Sequence, residues 1–248
     1  MTLGEMLAVL VAGLAAGAVN TVVGSGTLVT FPVLLATGLP PLTATVSNAI
    51  GMTPGSVSGA IGYRKDLPGR RILLYLAAGA TLGGLTGATL LLALPAGAFD
   101  VIVPVLVALA LVLVALQPVI ARRLSRRAER RDGGKALFAG LTLASVYGGY
   151  FAAAQGIIYM ALMGALLDEP AQRRNAVKNV LVAVVNTAAS AVLLFHAHVA
   201  WPAVALLAAG SALGGQVGAR LGRRLSPAAL RLLILAVGTV ALVQLLLR

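Results

Sequence analysis

Apolar residues run along this chain in long stretches, separated by short polar or basic segments. Eight such stretches stand out, near Thr2–Val22, Leu42–Gly62, Ile72–Leu94, Phe99–Ala121, Ala136–Leu167, Asn179–Phe195, Trp201–Ala219 and Pro227–Leu247. A helix crosses a bilayer in roughly 17–25 residues, so each stretch is a candidate span. The alternation that marks a transmembrane barrel strand is missing, and in lipid the remaining way to satisfy the backbone is a helix. The pattern predicts an all-α polytopic integral membrane protein.

The chain also repeats itself at an offset of 131 residues: Leu76–Ala88 (LAAGATLGGLTGA) matches Leu207–Ala219 (LAAGSALGGQVGA) at nine of thirteen positions. The same offset sets Gly17 opposite Gly148 and Asn48 opposite Asn179. This gives two homologous halves, an N-terminal membrane repeat over 1–121 and a C-terminal one over 136–248, joined by a basic cytoplasmic linker over 122–135. Two stretches are interrupted, at Val23-Gly24-Ser25-Gly26 followed by Phe31-Pro32, and at Ala154-Gln155-Gly156 after Gly148-Gly149. Glycine and proline break helices, and freed backbone at membrane depth is tolerated where it is buried in protein or lines a polar cavity. Paired interruptions in matching halves point to a transport site at the repeat interface.

Charge sets the topology. The basic residues cluster at Arg64, Lys65, Arg70 and Arg71; at Arg122, Arg123, Arg126, Arg127, Arg130, Arg131 and Lys135; at Arg173 and Arg174; and at Arg220, Arg223 and Arg224. Eight single crossings would put the first two clusters on one side and the last two on the other, against the positive-inside rule. If the first and fifth segments each fold back and cross an even number of times, all four clusters face the cytoplasm. Each half then crosses an odd number of times, and the two copies are inverted repeats, with both termini outside. Equivalent loops agree: YRKDLPGRR is basic where HAHVAW is neutral, and Leu94–Asp100 is neutral where Arg220–Arg224 is basic.

Composition narrows the function classes. With 59% hydrophobic and 10% charged residues, the chain lies well above the about 45–50% apolar content of soluble domains, and its expected place is the cell membrane, as a multi-pass protein. The net charge of +12 reads as the positive-inside signature, not as a nucleic-acid surface. Without cysteine there is no disulfide, thiolate metal site or cysteine nucleophile. The first segment lacks a basic n-region, with Glu5 and no Lys or Arg before Arg64, and is expected to be retained. All seven acids sit in loops or at segment ends, so no carboxylate is placed for an intramembrane proton relay. No catalytic set, metal site or cofactor is expected, and His196-Ala197-His198, a weak metal signal with no acidic or cysteine partner nearby, reads as interfacial residues.

Candidate binding residues gather at the breaks. Asn20, Thr21, Gly24, Ser25, Gly26 and Thr27 surround the first, where helix ends offer unpaired N–H groups and a positive dipole to an anion; caps and close helix packing are the alternative use of such residues. Gln155 and Gly156 hold the equivalent place in the second. Asn48 and Asn179 are expected to approach one another near an approximate two-fold axis, either as part of the site or as an interhelical hydrogen bond. Lys178, opposite Ser47 in the repeat, either faces the bundle interior as a counter-charge or snorkels to the surface beside Arg174. Gly79-Gly83-Gly87 and Gly210-Gly214-Gly218-Gly222 are small-residue ridges for helix packing, and such faces also offer a homodimer contact.

The run Ala16-Gly17-Ala18-Val19-Asn20-Thr21-Val22-Val23-Gly24-Ser25-Gly26, then Phe31-Pro32-Val33-Leu34-Leu35, Gly38-Leu39-Pro40-Pro41, Ala44, Ser47-Asn48 and Tyr63-Arg64, resembles the sulfite exporter TauE/SafE family, also called toluene sulfonate uptake permeases. The second half resembles the family's other motif through Tyr147-Gly148-Gly149-Tyr150-Phe151, Gly156, Lys178-Asn179, Asn186 and Trp201. The resemblance implies a small carrier for sulfur-containing anions such as sulfite, thiosulfate or organosulfonates. The chain departs from it at Ala152-Ala153-Ala154-Gln155-Gly156, where family members often carry a glycine-rich stretch. The expected mechanism is alternating access at a central anion site between the halves, with the lipid bilayer as the other partner. An anion channel and a carrier of a different small anion are the rival readings.

Overall fold

The computed structural model describes residues 1–125, 133–222 and 226–247. Arg126, Arg127, Arg130, Arg131, Arg223 and Arg224 of the basic clusters lie outside the described residues. Among the described residues the structure is ten α-helices and one 3-10 turn: α1 (Leu3–Val22), α2 (Thr27–Ala36), α3 (Pro41–Gly62), the turn Arg64–Asp66, α4 (Arg70–Ala93), α5 (Ala96–Ser125), α6 (Gly134–Tyr150), α7 (Gln155–Leu166), α8 (Ala171–His196), α9 (Trp201–Leu221) and α10 (Pro227–Leu246). Among the described residues, six segments are long and apolar enough to cross a membrane: Leu3–Val22, Arg70–Ala93, Gly97–Arg123, Ala171–His196, Trp201–Leu221 and Ala228–Leu246. Leu82, Val101, Leu143 and Leu232 lie on the outer surface, as expected of side chains whose solvent is lipid.

The boundaries follow local chemistry. Thr2 opens α1 with a capping box, its hydroxyl accepting from the Glu5 N–H while the Glu5 carboxylate accepts from the Thr2 N–H at 2.8 Å. Proline fixes the start of α3, α9 and α10 at the first or second helical position. The apolar stretch from Ala136 to Leu167 is split by the four residues Phe151–Ala154 into α6 and α7. The second interruption therefore ends where it was expected to begin, and Gln155 and Gly156 form the first turn of α7. Helix α8 starts at Ala171, earlier than the apolar stretch beginning at Asn179, and carries Arg173, Arg174 and Lys178 within it. Helix α5 continues through Arg122 and Arg123, so the expected linker begins as its last turn.

Glycine decides how closely the helices approach. A Cβ on Gly13 would sit 3.1 Å from the Leu207 carbonyl, one on Gly17 2.9 Å from the Gly215 nitrogen, and one on Gly218 2.7 Å from the Ala18 carbonyl. Gly79, Gly83 and Gly87 meet Phe138, Ser145 and Tyr150 in turn. Both ridges are thus covered inside the chain, α9 against α1 and α4 against α6. These residue pairs advance together, so each pair of helices is parallel. Helix α3 also runs with α9, since Gly51 meets Leu207 and Gly62 meets Ala219.

Since α1 and α3 both run with α9, the chain must turn back between them. Helix α2 makes that return, placing Gly26 beside Met52 and Thr30 beside Asn48. Helix α7 likewise folds back along α6, with Gln155 against Gly148, Tyr159 against Ser145 and Leu162 against Gly140. At about 1.5 Å per residue, the 10 residues of α2 and 12 of α7 are each too short to span alone. Every major helix pairing has a counterpart when the halves are exchanged: α1 on α9 and α6 on α4, α3 on α9 and α8 on α4, α2 on α10 and α7 on α5.

Candidate functional site

The two breaks meet inside the bundle. The Gly156 N–H donates to the Gly24 carbonyl at 3.0 Å, and a Cβ on either glycine would fall 2.5 Å from the other's Cα. Gly24 also adopts φ +90°, a conformation that glycine reaches without strain. The second break makes its corresponding turns with Ala152 at φ +62° and Ala154 at φ +59°, a region costing an L-residue roughly 1–2 kcal/mol. Phe31 and Phe151 close the contact edge to face, with ring centroids 5.4 Å apart.

Each break presents a helix start with free donors. Among the described residues, the N–H groups of Ser25, Gly26 and Thr27 at the start of α2 have no protein acceptor, nor do those of Ala153, Ala154 and Gln155 at the start of α7. No side chain caps either helix. The Ser25 hydroxyl is fully buried and has no partner among the described residues, and the Gln155 Oε1 atom is equally buried and without one there. Buried polar atoms are nearly always bonded, so two orphans beside two uncapped helix starts single out this junction as the candidate polar site. The other end of Gln155 is fixed: Nε2 donates to Tyr159 OH at 2.7 Å, that hydroxyl lies 2.6 Å from Ser145 Oγ, and Ser145 donates to the Leu141 carbonyl at 2.6 Å. Tyr147 OH steadies the same break through the Ala153 carbonyl at 2.6 Å.

Lys178 points inward. Its side chain is fully buried, and Nζ donates to the Asn20 and Thr21 carbonyls at 3.1 and 3.0 Å. These are last-turn carbonyls of α1, which have no partner within the helix. Asn179 adds an amide bond to the Thr21 carbonyl at 3.2 Å, and Asn175 one at 3.5 Å. Asn48 serves the opposite side of the break, donating to Thr27 Oγ1 at 3.1 Å and accepting from Thr30 Oγ1 at 2.5 Å. The two repeat-equivalent asparagines hence hold the two ends of one break, and neither bonds the other.

Asn20 and Asn186 both donate to Ser56 Oγ, at 3.3 and 2.8 Å, tying α1, α3 and α8 together. Ser47 accepts from the Ala200 N–H at 3.0 Å, fastening α3 to the start of α9 and not to either break. Ser56, Asn175 and Tyr159 were not singled out by sequence. Asn175 carries a readable signal, three residues before Lys178 on the same helix face, whereas Ser56 and Tyr159 belong to stretches that read as ordinary apolar helix. A cavity of about 190 Å³ lies against both breaks, lined by Val22, Val23, Ile157, Gln117 and Arg174 among others.

This architecture defines a polytopic helical membrane protein with two broken helices meeting across its repeat. The profile of the sulfite exporter TauE/SafE family matches residues 9–245, and the chain belongs to that family. Its relatives include a "Probable membrane transporter protein" of Haemophilus influenzae, 26% identical over 88% of this chain and 85% of that protein. ORF9 of Sinorhizobium sp, 27% identical over 85% of this chain and 80% of its own, and YfcA of Escherichia coli K12, 27% identical over 83% and 76%, carry the same description. No solved structure matches the chain. The protein is a membrane transporter of this family.

Proposed function

We propose that this transporter carries small sulfur-containing oxyanions, such as sulfite, thiosulfate or an organosulfonate, by alternating access of two inverted halves around the meeting point of the breaks. The observation that carries the reading is the pair of uncapped helix starts, each with three free N–H groups, brought together beside the unpaired Ser25 hydroxyl. Free backbone donors at a helix N-terminus are a general anion site, and broken helices bind substrate this way in carriers built from repeats. Lys178 reaches the same junction, its stem passing Gly156.

Inversion is supported by direction. Helices α3 and α8 are repeat equivalents, yet Ala49 and Thr53 meet Ser190 while Ser56 meets Asn186, an antiparallel crossing. It is supported again by charge. Gln172 at the start of α8 donates to Asp66 beside Arg64 and Lys65, Gly62 meets Ala219 beside Arg220, and Ala121 shares a cavity with Arg174. Basic residues from all four clusters thus gather at one end, the end the positive-inside rule assigns to the cytoplasm.

The test is radiolabelled sulfite, thiosulfate and a small organosulfonate in proteoliposomes, at zero and imposed potential, with wild type beside Ser25→Ala. Saturable flux that follows the potential, and falls about tenfold or more in a variant that melts like wild type, is expected. Absence of flux for every sulfur anion would overturn the substrate assignment, and conductance beyond a carrier's turnover would replace the carrier by a channel.

A further inference from the structure

We propose that the carbonyl end of α1 is a monovalent-cation site whose resident cation is the ammonium of Lys178 itself, so that this carrier works without sodium. The proposal rests on the transport reading above and extends it to the question of coupling. Carriers with broken helices commonly hold a sodium ion on unwound carbonyls and half-helix C-terminal ends. Here that position has its carbonyls, those of Asn20 and Thr21, and they already receive a cation at 3.0–3.1 Å. The amides of Asn175 and Asn179 also converge on the Thr21 carbonyl.

Among the described residues the charge has no other counterpart: Nζ bonds those two carbonyls, and no carboxylate of a described residue lies within 4 Å of it. A buried, unpaired ammonium is costly in a membrane bundle, and what offsets that cost here is the negative end of the α1 dipole and its orphan carbonyls. Arg174, one turn earlier on α8, faces the cavity and is separate from the carbonyl pair.

The stem is as informative as the head. A Cβ on Gly156 would come within 3.0 Å of Lys178 Cδ, so the side chain threads between α1's end and α7's start, past the Gly24–Gly156 contact. A free sodium ion could leave this site during a cycle, whereas the tethered ammonium stays. The carrier then keeps its cation through every turnover, and the anion's charge crosses uncompensated.

The experiment uses the purified full chain and measures melting and flux together. In Lys178→Ala, propylammonium should raise the melting temperature saturably, as a ligand of the folded state does, and restore flux, while tetramethylammonium does neither. Wild type should melt and transport equally well in sodium and in N-methylglucamine. Equal stability and flux in Lys178→Met would overturn the proposal, as would saturable stabilisation of wild type by sodium. If Lys178→Ala does not fold, wild-type melting with and without sodium still decides. If no sulfur anion moves in any protein, the melting series still reads the cation site, so the two readings fail separately.

Discussion

The Gly156 N–H reaches the Gly24 carbonyl at 3.0 Å, a single backbone hydrogen bond joining the broken helices of the two halves. With a Cβ on either residue 2.5 Å from the other's Cα, the junction leaves no space for a side chain. Neither alanine variant can relax by moving a flexible atom, because the obstacle is backbone. Gly24→Ala adds strain at φ +90° and should cost more than Gly156→Ala, each in the range of about 1–3 kcal/mol typical of overpacking. Melting temperature is the readout, with Gly97→Ala as control, since nothing lies within 4 Å of a Cβ there.

Ala154→Gly should stabilise the protein. Ala154 caps α7 at φ +59° without glycine, and the gain from relieving left-handed strain outweighs glycine's larger unfolded-state entropy. A rise of about 0.5–1 kcal/mol is expected in denaturant or thermal unfolding. An unchanged or lowered midpoint would mean that the alanine methyl, fully buried, packs too well to give up.

Tyr159→Phe breaks a chain of bonds running from Gln155 through Tyr159 and Ser145 to the Leu141 carbonyl. Gln155 Nε2 loses its acceptor in a fully buried site, which costs about 1–3 kcal/mol. Pairing it with Gln155→Leu in a double-mutant cycle should recover part of that loss, because the second change removes the stranded amide.

Topology has a clean chemical test in a chain without cysteine. Asp66→Cys and Arg220→Cys should both label with a membrane-impermeant maleimide from the cytoplasmic face, given the ends at which α3 and α9 meet. Labelling from opposite faces would sink the inverted arrangement and send both halves back to a parallel repeat.

The interruption at Val23-Gly24-Ser25-Gly26 was legible because two glycines flank a serine shortly before Phe31-Pro32, and because a break recurs at the repeat offset. The second was legible only in outline. Alanine is the strongest helix former, so Phe151-Ala152-Ala153-Ala154 carried no local sign of a stop, and the helix ends there because Tyr147 binds the Ala153 carbonyl and Gly156 binds Gly24. The 131-residue offset predicted that Asn48 and Asn179 would approach one another, yet they hold opposite sides of one break. A repeat specifies equivalent backbones, while each side chain bonds whatever its own half lacks.

The sequence by itself determined the solvent, the helical class, the duplicated halves and the existence of two breaks, because these follow from composition and periodicity, which are local. It also placed Lys178 at a fork between surface and interior that local chemistry could not resolve, since a four-carbon stem reaches either way. Only the tertiary structure decided that fork, by bringing α1's unpaired carbonyls within 3.1 Å of the ammonium. The same holds for the glycine ridges, whose partners lie in the other half of the chain, and for the meeting of Gly24 with Gly156. Such pairings join residues about sixty to two hundred positions apart, and they exist only once backbone geometry has made the approach.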